Sequence, residues 1–371
     1  MTPEENITFR KEIIRKKFLE YVGYEPNLDN PQTFNEKLQW LKLYYHDPLM
    51  TKCADKYAVR EYIKETIGEE YLVPLIGIWD RVEDIDFDSL PNQFVLKVNW
   101  GSGMNIIVKD KDKFDIEDAK NKLSQWMKPS SNHYYTSYEW CYKNIKPKII
   151  CEKYMKDDNT NNLIVYGFYC FNGIPKFIHT ITDAHTGTDR CNIYDLNWNK
   201  QNFFYIWKNT DYDIDKPKQL ELMISLVKKL CFKFVHVRVD LFHINGAIYI
   251  GELTFYTNAG LSNFSPIEWD YKFGELLELP KEKKLEYDFI DKDTLLNQVT
   301  NLEPIVKELR DLEEKNIYLK EQQKKLNKLI ENHSLFNLFS IFNFSLFAFN
   351  IDKQYVKIVI LGLKIVFKRK S

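Results

Sequence analysis

The stretch FVHVRVDLFHINGAIYIGELTF, residues 234–255, alternates β-branched or aromatic residues with polar ones on either side of Asn245-Gly246. An Asn-Gly pair between two such runs is a strong local sign of a β-hairpin. Strands are therefore expected over Phe234–Phe242 and Ala247–Phe255. Arg238 and Asp240 fall on the first, Glu252 and Thr254 on the second. If the pairing puts Asp240 and Glu252 on one face, two carboxylates stand ready for Mg²⁺. That ion accepts few carboxylates and completes its shell with phosphate oxygens and water. An arginine beside them can steady charge on a transferring phosphoryl group. Such a pair also occurs as plain structure, so its surroundings decide.

Upstream, Phe94–Val98 reads as a buried strand carrying Lys97, followed directly by Asn99-Trp100-Gly101-Ser102-Gly103 and a return strand, Ile106–Val108. Glycines let backbone N–H groups approach phosphate oxygens closely. A lysine on the adjoining strand supplies fixed positive charge. Asp55-Lys56 opens a helix that runs to Ile67 and stops at Gly68. Glu152 ends the strand Ile149-Ile150-Cys151 within a longer candidate, Lys148–Tyr154. Each feature is weak alone: a strand lysine is usually solvated. Their order is the stronger signal, and it suits Mg-ATP.

Further strands are expected over Leu163–Phe171 and Lys176–Ile181, turning at Asn172-Gly173, and an amphipathic helix over Lys216–Phe232. The N-terminal part reads as helices. One starts near residue 7, Pro26 and Pro31 break the pattern, and Phe34 to Tyr45 resumes it with Thr33 and Glu36 at capping-box spacing. The expected organisation is an N-terminal helical segment (1–50), an α+β body (51–285), a linker and helix (286–332), and a tail (333–371). In the third part Leu312, Leu319 and Leu326 fall on one heptad position and Leu309, Asn316, Gln323 and Ile330 on another. That is a short coiled-coil seam, and copies of the chain could pair through residues 303–332; a solvated helix packed on its own domain is the alternative. In the tail, Leu335 to Phe349 is apolar but short for a bilayer span. Tyr355–Lys370 reads as a hairpin about Leu361-Gly362, ending in Lys368-Arg369-Lys370. An apolar patch beside basic residues suits an anionic membrane surface, here the inner face of the cytoplasmic membrane; burial against the body or a partner is the competing reading.

Fifty-two basic and 53 acidic side chains leave a net charge of -1, so no global field marks a nucleic-acid binder. Six scattered cysteines form no CxxC pair and read as reduced, buried thiols of a cytoplasmic protein. Met1 to Lys16 is charged and lacks an apolar run, so secretion is not expected.

Asn30-Pro31, Thr33-Phe34-Asn35-Glu36-Lys37-Leu38-Gln39-Trp40, Asp55-Lys56, Arg238-Val239-Asp240 and Gly251-Glu252-Leu253-Thr254-Phe255 together resemble the TupA-like ATP-grasp proteins over roughly residues 8–280. The resemblance implies an ATP-grasp fold, two α+β lobes enclosing a nucleotide. It also implies a role in bacterial surface-polysaccharide or teichuronopeptide biosynthesis. By the same resemblance Lys56 and Lys97 contact ATP phosphates, and Gly101-Ser102-Gly103 closes over them. Glu152, Lys153 and Tyr154 form a hinge for adenine. Asp240 and Glu252 ligate Mg²⁺. Thr254 sits where many ATP-grasp enzymes have an asparagine ligand. Arg238 faces the phosphoryl group or the acyl phosphate. The implied reaction joins a carboxylate, such as a uronic acid of a capsule or other glycan, to an amine through an acyl phosphate, releasing ADP. One departure stands out. Relatives carry Asp-Tyr-Lys where this chain has Val165-Tyr166-Gly167, so an expected cation is missing, for which Lys153 or Arg190 could substitute.

Arg190-Cys191-Asn192 and Tyr194-Asp195 read as a polar loop, with Arg190 available to grip an anionic acceptor. His179, His185, His236 and His243 show no metal-type spacing; His236 shares a strand face with Arg238 and Asp240. Three alternatives compete with the ligase. ATP could phosphorylate a sugar hydroxyl. A degenerate ATP-grasp body could scaffold glycan assembly. A glycosyltransferase could use Asp86-Phe87-Asp88 or Asp110-Lys111-Asp112 as a DxD pair, although both lie in charged, loop-like stretches.

Overall fold

A computed structural model describes residues 3–157, 163–182, 190–284, 318–322, 325, 348–351, 355–360 and 363–368. The chain divides into two compact units, Met1–Asp288 and Phe289–Ser371. The first opens with helices α1 (Pro3–Val22), α2 (Phe34–Tyr44), α3 (Pro48–Ala54) and α4 (Val59–Thr66). Strands β1 (Leu75–Trp79), β2 (Phe94–Val98) and β3 (Asn105–Val108) follow, then α5 (Ile116–Trp126), α6 (His133–Ser137) and β4 (Ile149–Lys153). The remainder is β5 (Val165–Phe171), β6 (Ile174–Thr182), β7 (Arg190–Asp195), β8 (Phe204–Tyr205), α7 (Leu220–Cys231), β9 (His236–Ile244), β10 (Ala247–Thr254), β11 (Phe264–Ser265) and α8 (Glu268–Leu276). The expected α+β body is present. The N-terminal helices fold into the same unit rather than standing apart as residues 1–50.

Two antiparallel sheets carry the unit. One has the order β1-β4-β2-β3, the other β10-β9-β5-β6-β7, and a parallel bridge between Leu72 and Ile250 connects their edges. Hydrophobic residues on α7 recur every three or four positions, so Leu220, Met223, Leu226, Val227 and Leu230 are buried on one stripe. That stripe packs on β6 and β9, the usual way a helix hides its apolar side.

Helix α2 shows why its motif is so polar. Thr33 accepts from the Glu36 amide, and Glu36 accepts from the amides of Thr33 at 3.0 Å, Gln32 at 2.8 Å and Asn27 at 2.8 Å, completing the expected capping box. The Asn35 amide and side chain both donate to Asp270 of α8, at 3.0 and 2.8 Å. The Lys37 ammonium donates to the Gly274 and Leu277 carbonyls at the end of that helix. Gln39 and Lys42 donate to the Ala259 carbonyl, and Gln39 also to that of Gly260. These carbonyls belong to a turn in which Asn258, Ala259 and Gly260 all have positive φ, 45°, 55° and 62°. Left-handed backbone is costly for residues with a Cβ, and the α2 donors hold it. Burial lowers the Lys42 ammonium to about 8. The motif is thus a brace that fixes the chain leaving β10.

The helix expected from Asp55 is α4, which begins only at Val59, and a further helix, α3, precedes it. Asp47 caps α3, with Pro48 at its first position; Asp55 ends α3 and accepts from the Tyr57 and Ala58 amides at the start of α4. The stretch read as a polar loop, Arg190 to Asp195, is strand β7, with Cys191, Asn192, Ile193 and Tyr194 buried. All six cysteines are buried and free of disulfides.

The second unit contains a three-stranded antiparallel sheet, β12 (Ala348–Ile351), β13 (Tyr355–Ile360) and β14 (Leu363–Lys368). Ile360 pairs with Leu363, so the expected hairpin about residues 361–362 is present. Residues 318–322 and 325 are helical. Most of the expected heptad seam and the apolar stretch 335–347 lie outside the described residues. No helix among the described residues is long and apolar enough to cross a membrane.

Candidate active site

The hairpin of β9 and β10 places the two carboxylates opposite each other, Glu252 against Asp240, and Thr254 against Arg238. Arg238 forks onto Asp240, Nε to Oδ1 at 2.7 Å and Nη2 to Oδ2 at 2.6 Å. Its Nη2 also lies 3.3 Å from the Thr254 hydroxyl and 3.5 Å from Glu252 Oε1. The Thr254 hydroxyl donates to Glu252 Oε1 at 3.3 Å. Four side chains expected near one another therefore form one buried to half-buried cluster.

Lys56 connects this cluster to the glycine turn. Its Nζ donates to the Gly101 carbonyl at 2.6 Å and lies 3.5 Å from Glu252 Oε2, while its backbone amide donates to the Asn99 carbonyl. Asn99 is fully buried and exchanges backbone and side-chain bonds with Lys146 and Lys148, so the root of the turn is fixed. Gly103 has φ +74° with open space around a would-be Cβ, and a Cβ on Gly101 would meet the Met104 sulfur at 2.8 Å. Ser102 and Gly103 are exposed. A fixed root with an exposed glycine tip is what a phosphate-covering loop needs.

Lys97 lies on β2 and pairs with Glu152 of β4 at 2.6 Å; Arg60 approaches the same carboxylate at 3.5 Å. Glu152 is thus a buried acceptor for two cations. Lys153 is exposed and its amide donates to the Pro74 carbonyl, and Tyr154 follows half-buried. Arg190 stands exposed at the start of β7, paired in register with Thr182 and three strands from β9. Gly167, where the resemblance leads one to expect a lysine, pairs in register with Asp240 and His179 in the middle of the sheet.

The electrostatics separate the two carboxylates. Burial pushes Asp240 up to about 6, against the pull of Arg238. Burial also opposes charge on Glu252, but Lys56, Arg238 and Lys97 together hold it down at about 2. For Arg238, burial is outweighed by Asp240 and Glu252, and its value rises. Burial, reinforced by Arg238, pushes His179 well below the usual imidazole range. Among the described residues no group of three or more His, Cys, Asp and Glu forms a metal cage. Two facing carboxylates with a hydroxyl beside them fit Mg²⁺ carried in by a nucleotide, because the phosphates and water supply the other ligands.

Other expected features resolve as structure. His236 is buried, bonded through Nδ1 to the Cys170 carbonyl at 2.9 Å, and set edge-on to Phe34. Asp86 and Asp110 each accept from amides two residues on, capping short helical turns, which accounts for both DxD spellings. Residue reasoning missed the pairing of His179 with Tyr169. A glycine within the otherwise bulky strand VYGFYCF was the available signal.

A family described as TupA-like ATP-grasp matches residues 36–278. No curated protein matches significantly. Solved structures with detectable likeness include a D-alanine–D-alanine ligase from Bacillus anthracis complexed with ATP (20% identity, 55% of this chain and 53% of that one, TM-score 0.31). An L-amino acid ligase from Bacillus licheniformis (12%, 67% and 53%, 0.36) and a phosphoribosylamine–glycine ligase from Thermotoga maritima (10%, 64% and 58%, 0.35) are also similar. The chain spans little more than half the length of these structures.

Proposed function

This chain belongs to the TupA-like ATP-grasp family, and from that premise we propose that it is an ATP-dependent carboxylate–amine ligase. The observation that carries the reading is Lys56, which bonds the Gly101 carbonyl at 2.6 Å and lies 3.5 Å from Glu252, joining a glycine turn to a carboxylate pair. Lys97 and Lys56 hold the nucleotide phosphates, Gly101-Ser102-Gly103 covers them, and residues 152–154 border the adenine. Asp240 and Glu252, with the Thr254 hydroxyl, hold Mg²⁺, which screens phosphate charge when bound. Arg238 steadies the transferred phosphoryl group.

The reaction on this reading has two steps. A carboxylate oxygen attacks the γ-phosphorus, the bridging P–O bond breaks, and ADP departs. An amine nitrogen then attacks the acyl carbon, phosphate leaves with the C–O electron pair, and the amine loses a proton. The chain's part is positioning and charge stabilisation. Family context suggests a uronic acid of a capsular or other cell-surface glycan as the carboxylate. The apolar and basic pattern of residues 333–371 supports their placement at the inner face of the cytoplasmic membrane, and the heptad pattern supports pairing of copies through residues 303–332.

ADP release in the presence of Mg²⁺, a uronate and an amine tests the reading. Release that needs both partners is expected; release with a sugar hydroxyl alone, phosphate retained on the product, would replace the ligase by a kinase. A nucleotide-binding scaffold without turnover is the second reading. It is favoured by Gly167 standing where the family resemblance leads one to expect a lysine.

A further inference from the structure

Strand register aligns Glu252, Asp240, Gly167, His179 and Ile193 in one row across the five-stranded sheet. The first two belong to the proposed nucleotide site. His179, two strands further in, is 1% exposed, and its Nε2 has no hydrogen-bond partner. That nitrogen lies 3.8 Å from Asp240 Oδ1, and Nδ1 lies 3.2 Å from the Tyr169 hydroxyl. The Tyr169 hydroxyl in turn interacts with Arg238.

The imidazole has room only because residue 167 is glycine. A Cβ there would lie 1.9 Å from His179 Nε2 and 2.7 Å from Asp240 Oδ1. A side chain at 167 and the His179 ring are mutually exclusive as placed. Histidine from the neighbouring strand fills the position beside Asp240 that residue 167 would otherwise fill.

The donors and acceptors form a consistent circuit. With the Tyr169 O–H donating to His179 Nδ1, the remaining imidazole proton sits on Nε2, facing Asp240. We propose that His179 is a positioning residue for Asp240, holding the carboxylate through Nε2–H when metal and phosphate draw on it and the Arg238 fork must share. A small shift closes the present gap. This inference rests on the reading that Asp240 and Glu252 hold the metal of Mg-ATP.

Calorimetric titration of the full chain with ATP at a series of Mg²⁺ concentrations tests it. His179→Gln keeps an N–H donor near the place of Nε2; His179→Asn keeps one near Nδ1 and withdraws it from Asp240; His179→Leu has none. His179→Asn and His179→Leu should raise the Mg²⁺ needed for half-maximal binding roughly tenfold or more, the weight of a hydrogen bond to a charged group. His179→Gln should stay within about threefold of wild type by the same argument. Wild-type Mg²⁺ dependence in His179→Leu, or equal impairment in His179→Gln and His179→Asn, would overturn the proposal; should His179→Leu fail to fold, the Gln and Asn comparison decides. A thermal-unfolding cycle of His179→Gln and His179→Asn, each with and without Asp240→Asn, needs no ligand. If wild type binds no Mg-ATP the nucleotide reading falls. The cycle then judges the contact alone: coupling to Asp240 retained only in His179→Gln supports it, and additivity in both overturns it.

Discussion

Glu252 faces Asp240 because Gly251 is absorbed as a bulge. From the Asn245-Gly246 turn the ladder runs regularly to the pair Ile250 and Leu241, then shifts by one residue, so that Glu252 rather than Gly251 stands opposite Asp240. In the register set at the turn, Glu252 would oppose Val239 and point to the other face, since a one-residue slip reverses every side chain. Gly251 itself passes close to Phe242: a Cβ would lie 2.8 Å from its ring.

The bulge makes a first prediction. Gly251→Val should weaken Mg-dependent nucleotide binding at least tenfold, because a β-branched residue collides with Phe242 and favours the regular ladder that turns Glu252 away. Deleting Gly251 should cost much less, because a regular hairpin then pairs the glutamate with Asp240. Calorimetry on both variants checks this; equal loss in the two would remove register as the cause.

The brace makes a second. Gly260→Ala adds a Cβ at φ +62°, 2.5 Å from the Gln39 amide nitrogen and 2.9 Å from the Leu38 Cβ. Left-handed strain with overpacking should cost about 2–4 kcal/mol, measured by chemical denaturation. Gln39→Ala leaves the Gly260 carbonyl without its donor and should cost about 1–3 kcal/mol. Full stability in Gly260→Ala would show that α2 does not hold this turn.

Asp270 makes a third, in pH. Burial raises it from 3.8 to about 6, despite bonds from Asn35. The folded chain therefore holds this proton more tightly than the unfolded chain. Asp270 consequently makes folding less favourable as pH rises from about 4 to 6, by up to ~3 kcal/mol. Asp270→Asn should be less stable overall, one amide donor now facing Asn35, yet should lose this component of the pH slope. Thermal melts at pH 4, 5, 6 and 7 give the comparison; an unchanged slope would place the Asp270 titration elsewhere.

Much of the site was legible because its strands announce themselves locally. The runs 94–98, 165–171 and 247–254 combine β-branched or aromatic residues with glycine turns, and the observed strands fall on them. The capping box at Thr33 and Glu36 was equally local. Less legible were features set by pairing between distant segments. Gly167, Asp240 and His179 meet only through the β9-β5-β6 order, which periodicity does not contain. The Gly251 bulge is likewise invisible to an alternation count. Helix α8 was missed because its buried Asp270 reads as a surface residue until Asn35 is placed beside it. Lys97 was read as a phosphate contact and Glu152 as a hinge; the structure joins them at 2.6 Å, a contact between strands 55 residues apart.

The most direct test of the central claim, that Lys56, Lys97, the glycine turn, Asp240 and Glu252 form one Mg-ATP site, is calorimetric titration of ATP with Mg²⁺. Wild type, Lys97→Ala and Asp240→Asn are compared. The account predicts wild-type binding that requires Mg²⁺, lost or at least tenfold weaker in Lys97→Ala, and in Asp240→Asn either lost or needing at least tenfold more Mg²⁺. Absence of binding by wild type, or wild-type affinity and Mg²⁺ dependence in both variants, would contradict it.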